Sequence, residues 1–282
     1  MNRTTILKKI TYIFVLASSF LHGCNQDDHI TPSNELPFTY QLPQGIGECD
    51  DRIVDFLDKT ETFVIYDYGE YDPIWNVQSL IATSYRIVRP QKEYIEEGIN
   101  LLFDLWLDLY PTSFLNGILP RYIYVADSIF NRTNIVTYLT TDINITIPGI
   151  NKDIIDMTST EKNTLKVKLH DIFWEFAIGK GRFEIPEAFN NIDFGSIRTS
   201  KAAYDAGLIY GYPFGGVSFT KDFTETINYL LRTQQSSVDF ALRSYPACQT
   251  RIQMYVDELK RLHGIDLESV TGLTLPHTEV TE

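Results

Sequence analysis

Apolar residues recur at helical spacing in several long stretches of the chain. The pattern is clearest over residues 249–263, where Gly264 supplies a C-terminal stop. Its apolar stripe consists of Ile252, Tyr255, Val256, Leu259 and Leu262. Similar spacing predicts helices over residues 51–59, 94–109, 161–177 and 222–233. Thr160 is placed to cap the third of these four helices.

Strand patterns are confined to the first half of the chain. The segment TFVIYDY at residues 62–68 is rich in β-branched and aromatic residues, and residues 121–126 and 134–139 share that character. Residues 144–151, which contain Pro and Gly, and the Gly-rich and aromatic residues 204–219 are predicted to be loops. Because helices dominate and strands come early, the sequence predicts a helix-rich α+β fold.

The N-terminus has the pattern of an export signal. Three basic residues, Arg3, Lys8 and Lys9, precede the apolar residues 10–21, which are too short for a standard spanning helix. The run ends in the letters LHGC, which resemble the bacterial lipobox, so Cys24 is expected to carry lipid and become the first mature residue. An ordinary secretory signal with an incidental Cys is the alternative.

The residues behind Cys24 indicate where the protein is expected to reside. The acidic segment NQDD at residues 25–28 looks like the surface-export signal of Bacteroidetes lipoproteins. We therefore expect a lipid-anchored protein of the outer membrane that faces the cell surface.

Composition divides the chain into a signal peptide (residues 1–23), a lipidated Cys and flexible tether (24–49), one domain (50–270) and a polar C-terminal tail (271–282). The 44% hydrophobic fraction is sufficient for a large core. Removing the signal takes away three positive charges and no negative one, which changes the net charge from −13 to −16. This acidic balance argues against nucleic-acid binding, and it leaves membrane attachment to the lipid.

Two cysteines, Cys49 and Cys248, remain in the predicted domain. An envelope location would permit a disulfide between them. Two buried free thiols are the preferred interpretation, and the disulfide is the alternative.

Several segments follow one another in a characteristic order. They are TFVIYDY (62–68), WLDLYP (106–111) followed by LP (119–120), YIYVADS (122–128), residues 170–189, KDFTE (221–225) and GIDL (264–267). Their order resembles that of a family of Bacteroidetes lipoproteins assigned as zinc-binding metallopeptidases, which are associated with TonB-dependent import loci. The resemblance covers roughly residues 50–270 and implies a zincin-like fold.

The resemblance aligns residues 170–174 with the zincin motif H-E-x-x-H, but the chain has HDIFW there. In the intact motif two His side chains one helical turn apart bind zinc, and the Glu acts as general base. His170 keeps the first ligand position, Asp171 takes the place of the Glu, and Trp174 replaces the second His. An indole has no lone pair to offer a metal ion.

The third ligand of the family is expected from a later acidic stretch, which here begins with Lys221 and continues with Asp222 and Glu225. His170 with Asp222 or Glu225 would give two protein ligands, whereas catalytic zinc sites use three. No cofactor is therefore expected, with zinc only if the site retains some function. His170 is instead expected to bond to a carboxylate such as Asp222 or Glu225, and Trp174 to fill the lost metal site.

These departures predict a catalytically inactive relative that acts in binding, or as an accessory to outer-membrane nutrient uptake. Its expected partners are a TonB-dependent transporter with its surface lipoproteins, and a peptide or glycan ligand. Aromatic residues of the 204–219 loop could line a ligand groove. One alternative is an active metallopeptidase with an altered site formed by His170, Asp171 and Glu225. Another is a purely structural cell-surface protein.

Overall fold

The computed structural model describes residues 40–75 and 84–278. The predicted signal peptide, Cys24 and most of the tether lie outside the described residues. From Gln41 onward, the described chain belongs to one compact unit.

The larger of the two sheets is mainly parallel. It is built from β1 (Phe63–Ile65), β3 (Tyr122–Ala126), β7 (Asn144–Pro148) and β6 (Leu139–Thr140), in that spatial order. Strands β1, β3 and β7 are parallel to one another, and β6 is antiparallel to β7. All five residues of β7 are buried, as are all five of β3, which is typical of parallel strands covered on both faces.

The prediction of a loop over residues 144–151 was wrong, because its first five residues form β7. Asn144 and Thr146 weaken the apolar signal of this strand, but both are buried inside the fold. The Asn144 side-chain amide donates to the carbonyl of Pro73 at 3.1 Å, which compensates for its burial. Pro148 is the last residue of the strand.

The smaller sheet is antiparallel and consists of β2 (Tyr85–Val88), β4 (Ser128–Asn131) and β5 (Asn134–Val136). The single strand predicted over residues 134–139 is divided between β5 in this sheet and β6 in the larger one.

Helices make up most of the remaining structure, so the prediction of a helix-rich α+β fold with early strands is confirmed. Among the described residues, no helix has the length and apolarity needed to cross a membrane. The helices are α1 (Cys49–Thr60), α2 (Lys92–Leu105), α3 (Thr112–Leu115), α4 (Ser159–Gly179), α5 (Ser200–Asp205), α6 (Phe219–Arg232), α7 (Gln235–Ser244), α8 (Pro246–His263) and α9 (Leu267–Thr271).

The N-terminal cap of α4 lies two residues earlier than predicted. Thr158, not Thr160, accepts the N–H of Glu161, and the Glu161 side chain bonds back to Thr158. This reciprocal pair is a capping box. At the other end of the fold, Gly264 ends α8 in the left-handed conformation (φ 68°), as the sequence indicated.

Contacts of the described chain are also found outside both ends of residues 50–270. The side-chain oxygen of Gln44, in the predicted tether, accepts the N–H of Tyr66 at 3.0 Å. In the predicted polar tail, Leu275 is buried and the Thr278 N–H donates to Asp257 at 3.1 Å. Packed structure therefore extends from the early forties to residue 278.

One large hydrophobic core joins the helices to the larger sheet. Cys49 and Cys248 are both buried in it and both are free thiols. Residues 190–217, hereafter the lobe, have a small core of their own. That second core is formed by Ile197, Ala203 and Leu208, with half-buried side chains packed around them.

Candidate functional site

His170 is fully buried on the inner face of α4, and both of its ring nitrogens are hydrogen-bonded. Nε2 lies 3.0 Å from the carbonyl oxygen of Leu105, and Nδ1 lies 2.7 Å from the Tyr110 hydroxyl. A carbonyl can only accept, so Nε2 carries a proton. Because burial disfavours a second proton on the ring, Nδ1 is unprotonated and accepts from the Tyr110 hydroxyl. The neutral imidazole therefore has no free lone pair for a metal ion.

The partners of His170 differ from the carboxylates that the sequence suggested. Leu105 is the last residue of α2, where helical carbonyls lack intrahelical partners, so the imidazole caps that helix. Burial is the main reason that the pKa of His170 falls from 6.5 to about 3. The hydrogen bond to Leu105 raises the pKa by a smaller amount, and the charge of nearby Lys166 lowers it further. The ring thus stays uncharged across the physiological pH range.

Trp174, one helical turn after His170, lies inside an aromatic cluster and is 2% exposed. Its ring centroid lies 4.9 Å from those of Phe173 and Phe183 and 5.0 Å from that of Phe223. Phe183 follows α4 and Phe223 belongs to α6, so the indole joins separate parts of the core. The i+4 position, where a zincin would carry its second His, is occupied here by packed aromatic core.

Asp171, the next residue of α4 after His170, is exposed. Its carboxylate accepts a hydrogen bond from the Asn228 amide of α6. Glu225 is half-buried, and its nearest cation is Arg232, with an N–O distance of 3.8 Å. His170, Asp171 and Glu225 therefore have three different sets of partners. Their side chains do not form the common site that the altered-site hypothesis requires.

Asp222 is fully buried and forms an ion pair with Arg251 of α8, whose side chain is 4% exposed. The Tyr255 hydroxyl donates to Asp222 Oδ2 at 2.7 Å, and the Tyr210 hydroxyl donates to Oδ1 at 3.0 Å. Burial, and then the charge of Asp222, raise the pKa of Tyr255 well above its usual value, so the phenol remains a donor. Both oxygens of the Asp222 carboxylate are therefore bonded to buried or half-buried side chains of the protein.

Lys221 points away from this network. Its ammonium donates to the carbonyl of Phe214 in the lobe, at an N–O distance of 2.6 Å. The backbone N–H of Lys221 bonds to the Ser218 side chain, which caps α6. At the position where the resemblance expects an acid, the Lys221 side chain thus holds a loop.

The candidate donors do not fit a zinc ion. His170 would have to break two hydrogen bonds, and Asp222 would have to leave Arg251 buried without its counter-charge. Within residues 40–75 and 84–278, no group of three or more His, Cys, Asp or Glu side chains is arranged to hold a metal.

Two residues that matter here escaped the sequence reasoning. Arg251 lies on the apolar stripe of α8, one turn before Tyr255, and a cation in that position was a readable signal of a buried partner. Tyr110 gave no such signal, because its pairing with His170 spans 60 residues.

Comparisons with known proteins leave the family open. No family model matches the sequence, and no curated protein matches it. A crystal structure from Bacteroides caccae, described as a "putative zinc-binding metallo-peptidase", is similar with a TM-score of 0.49 and 12% identity over 79% of this chain and 88% of that chain. Values this low do not assign this chain a family, a metal or an activity.

Proposed function

We propose that this protein is a surface lipoprotein with a zincin-like domain that lacks a working catalytic site. It acts by binding, as an accessory to an outer-membrane nutrient uptake system that includes a TonB-dependent transporter and its surface lipoproteins. The proposal joins the export pattern of the N-terminus to the altered motif of α4.

One observation carries the non-catalytic part of the proposal: both ring nitrogens of His170 are used by Leu105 and Tyr110. A zinc enzyme needs a nitrogen lone pair aimed at the metal and an open coordination position for water. Here the corresponding space is filled by Trp174 and its aromatic neighbours. The helix face that would hold zinc instead contributes to the hydrophobic core.

Metal analysis of the purified protein tests this part. After dialysis against micromolar zinc and gel filtration, we expect less than 0.1 zinc per chain by mass spectrometry, and no cleavage of a quenched-fluorescent peptide library. Variant His170→Ala should give the same readings as the parent chain. One zinc per chain, whose removal abolishes a peptidase activity, would refute the proposal.

The location is tested separately through Cys24. In cells given a radioactive fatty acid, the parent chain should be labelled and should be digested by protease added outside the cells. Variant Cys24→Ser should lose both properties. Labelling that survives this substitution would contradict the lipobox assignment, and a labelled but protease-resistant protein would contradict surface exposure.

A further inference from the structure

The outer surface of the lobe carries an open groove of about 710 Å³. The residues that line it come from two parts of the lobe, around residue 195 and over residues 212–217. Their side chains are mostly aromatic or apolar: Phe194, Tyr212, Pro213, Phe214 and Val217, with Arg198 at the side. None of the residues that line the groove belongs to the α4 site.

The ring of Phe214 is completely exposed, and its backbone is held from both sides. A turn closed by the Gly216 N–H on the Pro213 carbonyl, at 3.2 Å, carries the ring outward. Gly216 has a φ of 80°, which a side-chain-bearing residue rarely adopts. The Lys221 ammonium binds the Phe214 carbonyl, so this apolar ring is presented to solvent by a fixed turn.

Both arms of the groove are anchored to the same buried ion pair. Before the first arm, Arg251 donates to the Phe189 carbonyl at 2.8 Å and to the side chain of Asn191. Before the second arm, the Tyr210 hydroxyl donates to Asp222. The groove is therefore largely pre-formed, which reduces the entropy that a ligand must overcome on binding.

We propose that this groove binds a neutral oligosaccharide chain. The exposed Phe214 ring offers an apolar face on which a sugar ring can stack, and Tyr212 and Arg198 offer hydrogen-bond donors for hydroxyl groups. Among the described lining residues Arg198 alone is charged, and a single cation does not match the repeated charges of an anionic polymer. The net charge of the whole chain, −13, also opposes the approach of a polyanion, so a neutral chain is the better match.

The shape of the groove also argues for a sugar chain over a peptide added to a sheet. Residues 190–217 are all described and contain no strand, so they offer no sheet edge to an extended peptide. The open groove suits a polymer that runs along the surface. The proposal names the ligand class for the binding role above and rests on that proposed function.

Affinity gel electrophoresis with the intact purified protein tests the assignment. Gels contain one neutral polysaccharide each (starch, xylan, galactomannan or mixed-linkage β-glucan), with polygalacturonate as the acidic counterpart. We expect at least one neutral polymer to slow migration, and Phe214→Ala to weaken that binding by about threefold to tenfold, the worth of one aromatic contact. Phe240→Ala is the matched control, because Phe240 is 65% exposed on α7, outside the groove.

Three outcomes would overturn the proposal: no retardation by any neutral polymer, retardation only by polygalacturonate, or equal binding by the Phe214→Ala and parent proteins. Binding of a proline-rich decapeptide that depends on Phe214, without polysaccharide binding, would also overturn it. A failed sugar screen on zinc-free protein refutes only the ligand assignment. Zinc-dependent peptidase activity refutes only the non-catalytic proposal.

Discussion

Asp222 occupies a position where the family resemblance suggests a metal-binding acid, yet its carboxylate is paired with Arg251. The substitution Asp222→Asn separates these two roles. It removes the negative charge but keeps the size of the side chain. If Asp222 is a metal ligand, the variant should lose zinc affinity with little loss of stability. If Asp222 is a buried anchor, the variant should lose stability.

The magnitude follows from burial. Because Asp222 is fully buried and the Arg251 side chain is 4% exposed, solvent cannot compensate the remaining cation. Removing one partner of a buried pair costs about 3–5 kcal/mol. The carboxylate accepts one tyrosine hydroxyl on each of its two oxygens, whereas the Asn amide has only one oxygen. At least one of these hydrogen bonds is therefore weakened, which favours the upper part of that range. The total free energy of unfolding of a typical domain is about 5–15 kcal/mol, so this loss would be a large part of it.

Urea unfolding, followed by the fluorescence of the buried Trp106 and Trp174, measures the difference in the free energy of unfolding. With a slope of about 1–3 kcal/mol per molar urea, the midpoint should fall by at least about 1 M. Glu225→Gln is the matched control on the same helix, because Glu225 is half-buried and its Arg232 contact is 3.8 Å long. It should change stability by less than about 0.5 kcal/mol. If the two variants have similar stability, the anchoring argument is wrong.

Three further predictions concern α4. Trp174→His restores the H-x-x-x-H spacing but should bind no zinc and should lose about 3–5 kcal/mol of stability, from the aromatic packing it gives up; tight zinc binding would contradict this. Below about pH 6.5, His170 binds a proton in the unfolded chain but not in the folded protein, where its pKa is about 3. His170 should therefore lower the free energy of unfolding as the pH falls. Between pH 7.5 and 5.0 this amounts to about 2 kcal/mol, so urea unfolding of His170→Gln should show a pH dependence shallower by that amount. Thr158→Ala should cost about 1 kcal/mol in the same assay and Thr160→Ala much less, whereas the reverse order would restore the cap predicted from sequence.

Local signals in the sequence determined much of the fold. Helix α8 follows from its apolar stripe and from Gly264, because both signals lie within one element. Strand β3 follows in the same way from its β-branched and aromatic residues. Strand β7 did not, because its polar Asn144 is stabilised by Pro73, 71 residues away in sequence.

For the candidate site, the sequence alone gave the residue identities: HDIFW at residues 170–174, where the resemblance expects H-E-x-x-H, and Lys221, where it expects an acid. Only the tertiary structure decided what the remaining residues do. His170 bonds to a backbone carbonyl of α2, and such a partner leaves no trace in residue identity. Asp222 and Glu225 are one helical turn apart, yet one is buried against Arg251 and the other is partly solvated. That difference depends on how α6 packs against α8, and it arises from contacts between residues far apart in the chain.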